Sequence, residues 1–159
     1  MLATAEIKLR TLKDTDLDFL FSLENDKSLW AVSGTTESFS LVQLANYISH
    51  AKQDIATAGQ FRFVIDLENT PIGFIDLFDY TVNSAGVGVI IAKNYRRRGF
   101  SKEALELLID YATNTLKIEK LHCNIQKDNL ASIKLFTSCG FELEREEKEL
   151  QYFVKLAKK

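Results

Sequence analysis

Residues Ala85 to Ala92 read Ala-Gly-Val-Gly-Val-Ile-Ile-Ala, an apolar run far short of a membrane span and of the right length for a buried strand. Lys93, Arg96, Arg97 and Arg98 follow it directly, and from Gly99 the apolar period becomes helical through Ala104, Leu105, Leu108, Ile109, Ala112 and Leu116. A buried strand thus passes through a basic turn into an amphipathic helix. The start of a helix presents unpaired N–H groups and about half a positive charge, so it holds phosphate well when a glycine lets the ligand approach the backbone. Gly99 and Ser101 sit where such amides point. The net charge is −2, yet five of the 20 Lys and Arg residues fall between Lys93 and Lys102, which argues for a local anion site and against wholesale nucleic-acid binding. No Gly-Lys-Ser/Thr follows, and only one of the three dinucleotide-fingerprint glycines is present, which disfavours a kinase or a nicotinamide-dependent dehydrogenase. The alternative for the three arginines is a solvated surface turn.

The rest of the chain divides into short periodic segments. Glu6 to Arg10 alternates as a strand, and Asp14 to Glu24 is predicted as a helix capped by Asp14, with Leu17, Leu20, Phe21 and Leu23 at helical spacing. After an irregular stretch around Trp30 to Phe39, a second helix is predicted from Ser40 or Leu41 to about Ile55, and Gly59 ends the region. Phe61 to Leu67 and Ile72 to Tyr80 flank the turn-forming Glu68-Asn69-Thr70-Pro71 and make an antiparallel hairpin. Lys120 to Gln126 is a strand, Asn129 to Cys139 a short helix stopped by Gly140, and Phe141 to Glu147 and Leu150 to Lys155 a closing pair of strands. Glu142, Glu144 and Glu146 alternate as a solvated strand face unless a partner covers them. Helices with an antiparallel-rich sheet give an α+β or mixed α/β class.

At 159 residues the chain is expected to be one domain, 1–159, whose folding buries roughly 70% of the surface of the unfolded chain. One proline, seven glycines and no repeat or linker leave no internal boundary. With 46% hydrophobic and 26% charged residues it is too apolar for disorder. The start Met-Leu-Ala-Thr-Ala-Glu lacks the pattern of a signal peptide, so a cytoplasmic protein with no membrane partner is expected. Cys123 and Cys139 cannot form a disulfide framework, and with two histidines lacking ligand spacing they make no zinc set, so no metal is expected.

Two motifs carry a resemblance. Gly88-Val89-Ile90-Ile91-Ala92-Lys93-Asn94-Tyr95-Arg96-Arg97-Arg98-Gly99-Phe100-Ser101 resembles motif A of the GNAT acyl-CoA N-acetyltransferases, Gln/Arg-x-x-Gly-x-Gly/Ala after a buried strand, with Ser101 in place of Gly/Ala. Asn129 to Phe141 resembles motif B, Asn-x-x-Ser/Ala-x-x-Leu-Tyr/Phe-x-x-x-Gly-Phe. The order of elements is similar along essentially the whole chain, and the likeness is greatest to the branch holding ribosomal-protein N-terminal and spermidine acetyltransferases. The resemblance implies one GNAT-like domain, a largely antiparallel central sheet of about six to seven strands flanked by about four helices. It also implies acetyl-CoA as cosubstrate.

In that family the pantetheine arm of coenzyme A lies against the strand before the loop, here the backbone of Val89, Ile90 and Ile91, and the pyrophosphate lies over the loop, here Arg96, Arg97, Arg98, Gly99, Phe100 and Ser101. Asn129 matches the asparagine that contacts the cofactor arm, and before a helix it is equally an N-cap. The implied reaction is direct attack of an amine on the acetyl thioester, which needs a neutral amine, a polarised carbonyl and a proton for the leaving thiolate. N–H groups near Ile91 would polarise the carbonyl. Where many relatives carry a base glutamate this chain has Gly86, so Asp76, on one strand face with Phe74 and Phe78, is the candidate base in an apolar setting that would strengthen it. The alternative is an exposed or structurally hydrogen-bonded aspartate. Phe136 stands where many relatives have a tyrosine acid; it can pack on the cofactor but has no proton to give. Ser132 matches the serine proposed as acid in the ribosomal-protein-directed members, its other reading being a cap. Cys139 lacks the histidine partner of a nucleophile, and His122 reads as structural.

A weak base suits an α-amine, neutral in roughly one molecule in ten at neutral pH, better than a lysine-like amine, neutral in fewer than about one in a thousand. The expected acceptor is therefore a peptide or protein N-terminus, an amino acid or an amino sugar, ahead of a polyamine, in a pocket shaped by Trp30, Phe39 and Tyr47. A homodimer is implied by the resemblance. The alternatives are a coenzyme A-binding or sensing protein without catalysis, or a nucleic-acid-binding module using Lys93 to Lys102.

Overall fold

Alternating apolar residues build one seven-stranded sheet in the computed structural model, which describes residues 3–4, 6–29 and 37–157. The strands are β1 (Ile7–Thr11), β2 (Phe61–Leu67), β3 (Thr70–Phe78), β4 (Ser84–Ile91), β5 (Lys120–Gln126), β6 (Glu142–Glu147) and β7 (Leu150–Leu156), in the order β1-β2-β3-β4-β5-β7-β6. Only β4 and β5 are parallel; the other pairs are antiparallel. Five helices are described: α1 (Leu17–Glu24), α2 (Leu41–His50), α3 (Ile55–Ala58), α4 (Phe100–Asn114) and α5 (Leu130–Ser138). The mixed α/β architecture and the strand number match expectation, and α3 is one helix more than expected.

Each sheet face has its own core. Ile75 and Leu77 of β3 and Val87 of β4 pack with Phe100, Leu105 and Leu108 of α4 and Phe136 of α5. On the opposite face Val64 and Phe74 pack with Leu20 and Leu23 of α1 and Leu44 and Ile48 of α2. Each such side chain contributes about 1.5–3 kcal/mol by leaving water. Helix α4 is the crossover that a parallel pair requires.

Several local expectations change. The second helix stops at His50 because Asp54, whose carboxylate accepts the Thr57 N–H at 2.8 Å, starts α3, closed by Gly59. Asp14 does not cap α1; the buried Asp16 accepts the Lys13 N–H at 2.8 Å and two Arg10 nitrogens at 2.8 Å each, while Arg10 Nε reaches the buried Asp66 at 2.6 Å. The β2–β3 turn is only Glu68-Asn69, both at positive φ, so Thr70 and Pro71 already belong to β3. Ile72 is then an extra residue on β3, and the shifted register sets Arg62 opposite Asp76. A second irregularity, at Glu144, breaks the alternation of Glu142, Glu144 and Glu146: Arg145 comes opposite Tyr152, its guanidinium 4.0 Å from the ring centre, and Glu146 opposite Gln151. Those three glutamates therefore do not form one strand face, although all are exposed.

Candidate active site

Strands β4 and β5 pair only from Ser84 to Gly86 and from Lys120 to His122, then diverge. On its other edge β4 stays paired to β3 through Ile91. The Ala92 N–H donates to the Ile72 carbonyl at 2.8 Å, so the alternate residues Val89 and Ile91 turn their backbone groups the other way, into the gap towards β5. Ile90 has its own backbone groups on β3, so it borders the gap without offering a free N–H. The divergence opens a cavity of about 580 Å³, walled by Val87 to Ile90 on one side and Cys123 to Gln126 on the other.

Helix α5 closes one wall with Asn129, Ser132 and Phe136. Asn129 is an N-cap, its Oδ1 accepting the Ser132 N–H at 3.2 Å, and it also borders the cavity, so both readings of this residue have a geometric basis. Phe136 is buried edge-on against Phe141 with ring centres 5.0 Å apart. The Cys123 thiol is also in the wall, but burial pushes its pKa up to about 12, which disfavours it as a nucleophile.

Beyond Ile91 the basic loop runs through a 3-10 turn, Lys93–Tyr95, into α4. Gly99 precedes that helix at φ 84, with open space where a side chain would begin. Arg96 folds back, its Nε donating to the Ile91 carbonyl at 2.9 Å, and its Nη2 is buried without a partner. Arg97 and Arg98 are exposed, and Arg98 lies 5.1 Å over the Phe100 ring and 5.7 Å over Tyr95. Phe100 itself is buried in the core under α4, so its side chain does not face the loop surface and only its backbone is placed for a ligand; Ser101 is half-buried in the first turn. A free helix N-terminus, a glycine with open space above it and a buried cationic nitrogen without a partner fit a phosphate-bearing ligand whose narrow arm occupies the β4–β5 gap. Among the described residues no three His, Cys, Asp or Glu side chains gather as a metal would require.

Asp76 is not in the apolar setting expected. Its two carboxylate oxygens accept from Arg62 Nε at 2.7 Å and Nη2 at 2.9 Å, and Arg62 Nη1 donates to Glu24 at the end of α1. Arg62 also lies 4.9 Å over the Phe74 ring. Burial works against its charge, but Asp76, with Glu24 assisting, outweighs that and holds it protonated. Opposite Phe78, a Cβ at position 86 would lie 2.3 Å from the Phe78 ring, so a side chain there would force the ring aside. The ring thus fills the space that a side chain at position 86 would need.

A second cavity, of about 410 Å³, lies between α1, α2 and the β2–β3 hairpin, and Phe39 and Tyr47 line it as expected, whereas Trp30 lies outside the described residues. The two cavities share Glu24, Arg62, Asp76 and Phe78. Glu24 and Arg62 were not singled out in the sequence, and Phe78 was named only as a neighbour of Asp76 on its strand face. The signal for Arg62 was the hairpin register, which a four-residue turn conceals; for Glu24, 38 residues from Arg62, there was none. His122, stacked on Tyr152 with ring centres 5.7 Å apart, has its pKa lowered by burial and by Lys120, in line with a structural role.

Comparison with known proteins now adds to this geometry. The acetyltransferase (GNAT) domain family matches residues 6–142. Spermidine N(1)-acetyltransferase of Vibrio cholerae is 27% identical over 143 residues, covering 86% of this chain and 79% of that protein. An uncharacterized N-acetyltransferase, p20, of Bacillus licheniformis is 28% identical over 149 residues, covering 90% and 83%. The structure of Vibrio cholerae spermidine N-acetyltransferase in complex with CoA and spermine superposes with a TM-score of 0.85 at 21% identity over 96% of each chain, a likeness of fold.

Proposed function

This chain belongs to the acetyltransferase (GNAT) family, and from that premise we propose that it moves the acetyl group of acetyl-CoA onto an amine, with the cofactor arm in the β4–β5 gap and the amine in the cavity beneath α1 and α2. One observation carries the reading: the two cavities meet at a common wall, Glu24, Arg62, Asp76 and Phe78, where a thioester and an amine would come together.

Acetyl-CoA supplies the activated thioester. Val89 and Ile91 direct N–H groups at its carbonyl, and Arg96, Arg97, Gly99 and Ser101 hold the phosphates, with the buried Arg96 Nη2 as their inner cation. Asp76 receives the proton that the amine loses as the C–N bond forms and returns it to solvent, and Ser132 at the start of α5 supplies the proton taken by the leaving thiolate as the C–S bond breaks and regains one from solvent. Both Asp76 oxygens already accept from Arg62, which favours an acceptor whose amine is neutral more of the time near pH 7: a peptide N-terminus, an amino acid or an amino sugar before a polyamine. A cytoplasmic homodimer is the accompanying expectation; no described helix is long and apolar enough to cross a membrane.

Thiol release from acetyl-CoA with a panel of amines is the test. Turnover above hydrolysis supports the reading, with a loss of about 100-fold or more in Ser132→Ala supporting its proton-donor role at about the usual magnitude. If acetyl-CoA raises the Tm and no amine is turned over, the chain is a coenzyme A-binding protein, the alternative that Gly86 and Phe136 motivate.

A further inference from the structure

The cavity beneath α1 and α2 restricts the charge of its occupant. Its ionised lining residues are Glu24, Asp76 and Arg62, all on the wall shared with the β4–β5 gap. Tyr47 is uncharged, since burial pushes its phenol further above its ordinary value. All three Arg62 nitrogens are engaged, two by Asp76 and one by Glu24, and the aromatic face of Phe74 lies against the guanidinium. An incoming carboxylate would meet a guanidinium already shared between two carboxylates and would face both of them. Two carboxylates beside one guanidinium favour an ammonium group over an anion at the place where the thioester arrives.

Away from that wall the lining is largely aliphatic and aromatic: Leu20, Leu44, Phe39 and Phe61. The amides are Gln43 and Gln60, and the Gln43 side-chain oxygen is used, accepting the Ser40 N–H at 2.8 Å at the start of α2. Among the described residues no acid lines the far end to receive a second ammonium. A polyamine placed here would set a second cation against this apolar lining with no acid among the described lining residues to pair it.

We infer that the acceptor is a primary amine bearing one positive charge on an uncharged, apolar body, and that free amino acids and polyamines are excluded. The inference rests on the acetyl-transfer reading above and narrows it. A peptide N-terminus with an apolar first side chain and a free arylalkylamine share this chemistry.

The experiment measures thiol release by the full chain with phenylalaninamide, phenethylamine, phenylalanine, glucosamine and spermidine, at about pH 7 and again at about pH 9 so that amine ionisation alone cannot set the order. The expected kcat/KM for phenylalaninamide exceeds those for phenylalanine, glucosamine and spermidine by about 100-fold or more at both pH values, because each of these leaves polar or charged groups unpaired. Phenethylamine at the level of the amide assigns the free amine as acceptor, and a large excess of the amide assigns the peptide-like one; either supports the inference. Spermidine or phenylalanine within about threefold of the amide overturns the inference and leaves acetyl transfer standing. Silence with every amine overturns both. In Glu24→Gln one Arg62 nitrogen loses its anionic partner, so phenylalanine gains about tenfold relative to the amide. An unchanged ratio in a variant of parental Tm overturns the role given to the Glu24–Arg62 pair.

Discussion

Replacing Gly99 separates the ligand's contribution from the backbone's. At φ 84 an alanine incurs the left-handed penalty of about 1–2 kcal/mol, offset by about 0.4–1 kcal/mol because the unfolded chain loses freedom. Nothing lies within 4 Å of the added Cβ, so there is no clash to add. Gly99→Ala is therefore expected to lose about 1 kcal/mol of stability, a fall in Tm of about 2–4 °C. If the amides after Gly99 hold phosphate, the methyl group enters the space the ligand needs. Losing one hydrogen bond to a charged group is worth about 1.5–3 kcal/mol, or roughly 10- to 100-fold in Kd. Calorimetric titration with coenzyme A, beside thermal melts of the unliganded protein, separates the two effects, and Gly99→Leu should abolish binding. A Kd within twofold of the parent, with the expected drop in Tm, would refute the assignment of this loop to the cofactor.

Other outcomes follow from the same geometry. Asp76→Asn should lower kcat about 100-fold with the KM for acetyl-CoA unchanged, and a kcat within threefold of the parent would remove Asp76 as the base. Gly86→Ala should cost about 1–3 kcal/mol by driving a methyl group into the Phe78 ring, and Phe78→Leu combined with it should recover part of the loss in urea unfolding; strictly additive effects would refute the contact. Burial pushes the Asp16 carboxyl up, but Arg10 and the Lys13 N–H outweigh it and hold the carboxyl below its ordinary value. Its contribution to stability is thus fully present above about pH 4 and lost as pH falls through the lowered folded-state value. Asp16→Asn should cost about 3 kcal/mol near neutral pH and flatten the acid limb of a stability–pH curve; an unchanged acid limb would refute the Arg10–Asp16 coupling.

The elements of the fold were legible where their signals are local. The apolar run before Lys93, the helical period after Gly99 and the Asn129 cap are all decided within a few residues, and β5 and α5 appear within a residue or so of their expected limits. Errors fell where a local signal competed with another. Asp54 restarts a helix that the apolar stripe alone would continue, and Asp16 makes the backbone and arginine contacts that Asp14 was expected to supply. Of the site, the sequence marked the loop and the α5 residues, while Phe100, in the midst of the motif, turns its side chain into the core because helical periodicity places it there.

By itself the sequence determined the strand, basic loop and helix to which the phosphates are assigned in the proposed function, because period, glycine and charge act over neighbouring residues. Only the tertiary structure decided what Asp76 is. Its pairing with Arg62, 14 residues away, depends on a two-residue turn and one extra residue in β3, and Glu24 arrives from a helix on the far side of the chain's first third. A shift of register by one residue would turn Asp76 to the opposite sheet face. Pairing, charge and cavity at the junction are therefore properties of the assembled sheet, and they turn an isolated aspartate in a strand into part of a wall common to two cavities.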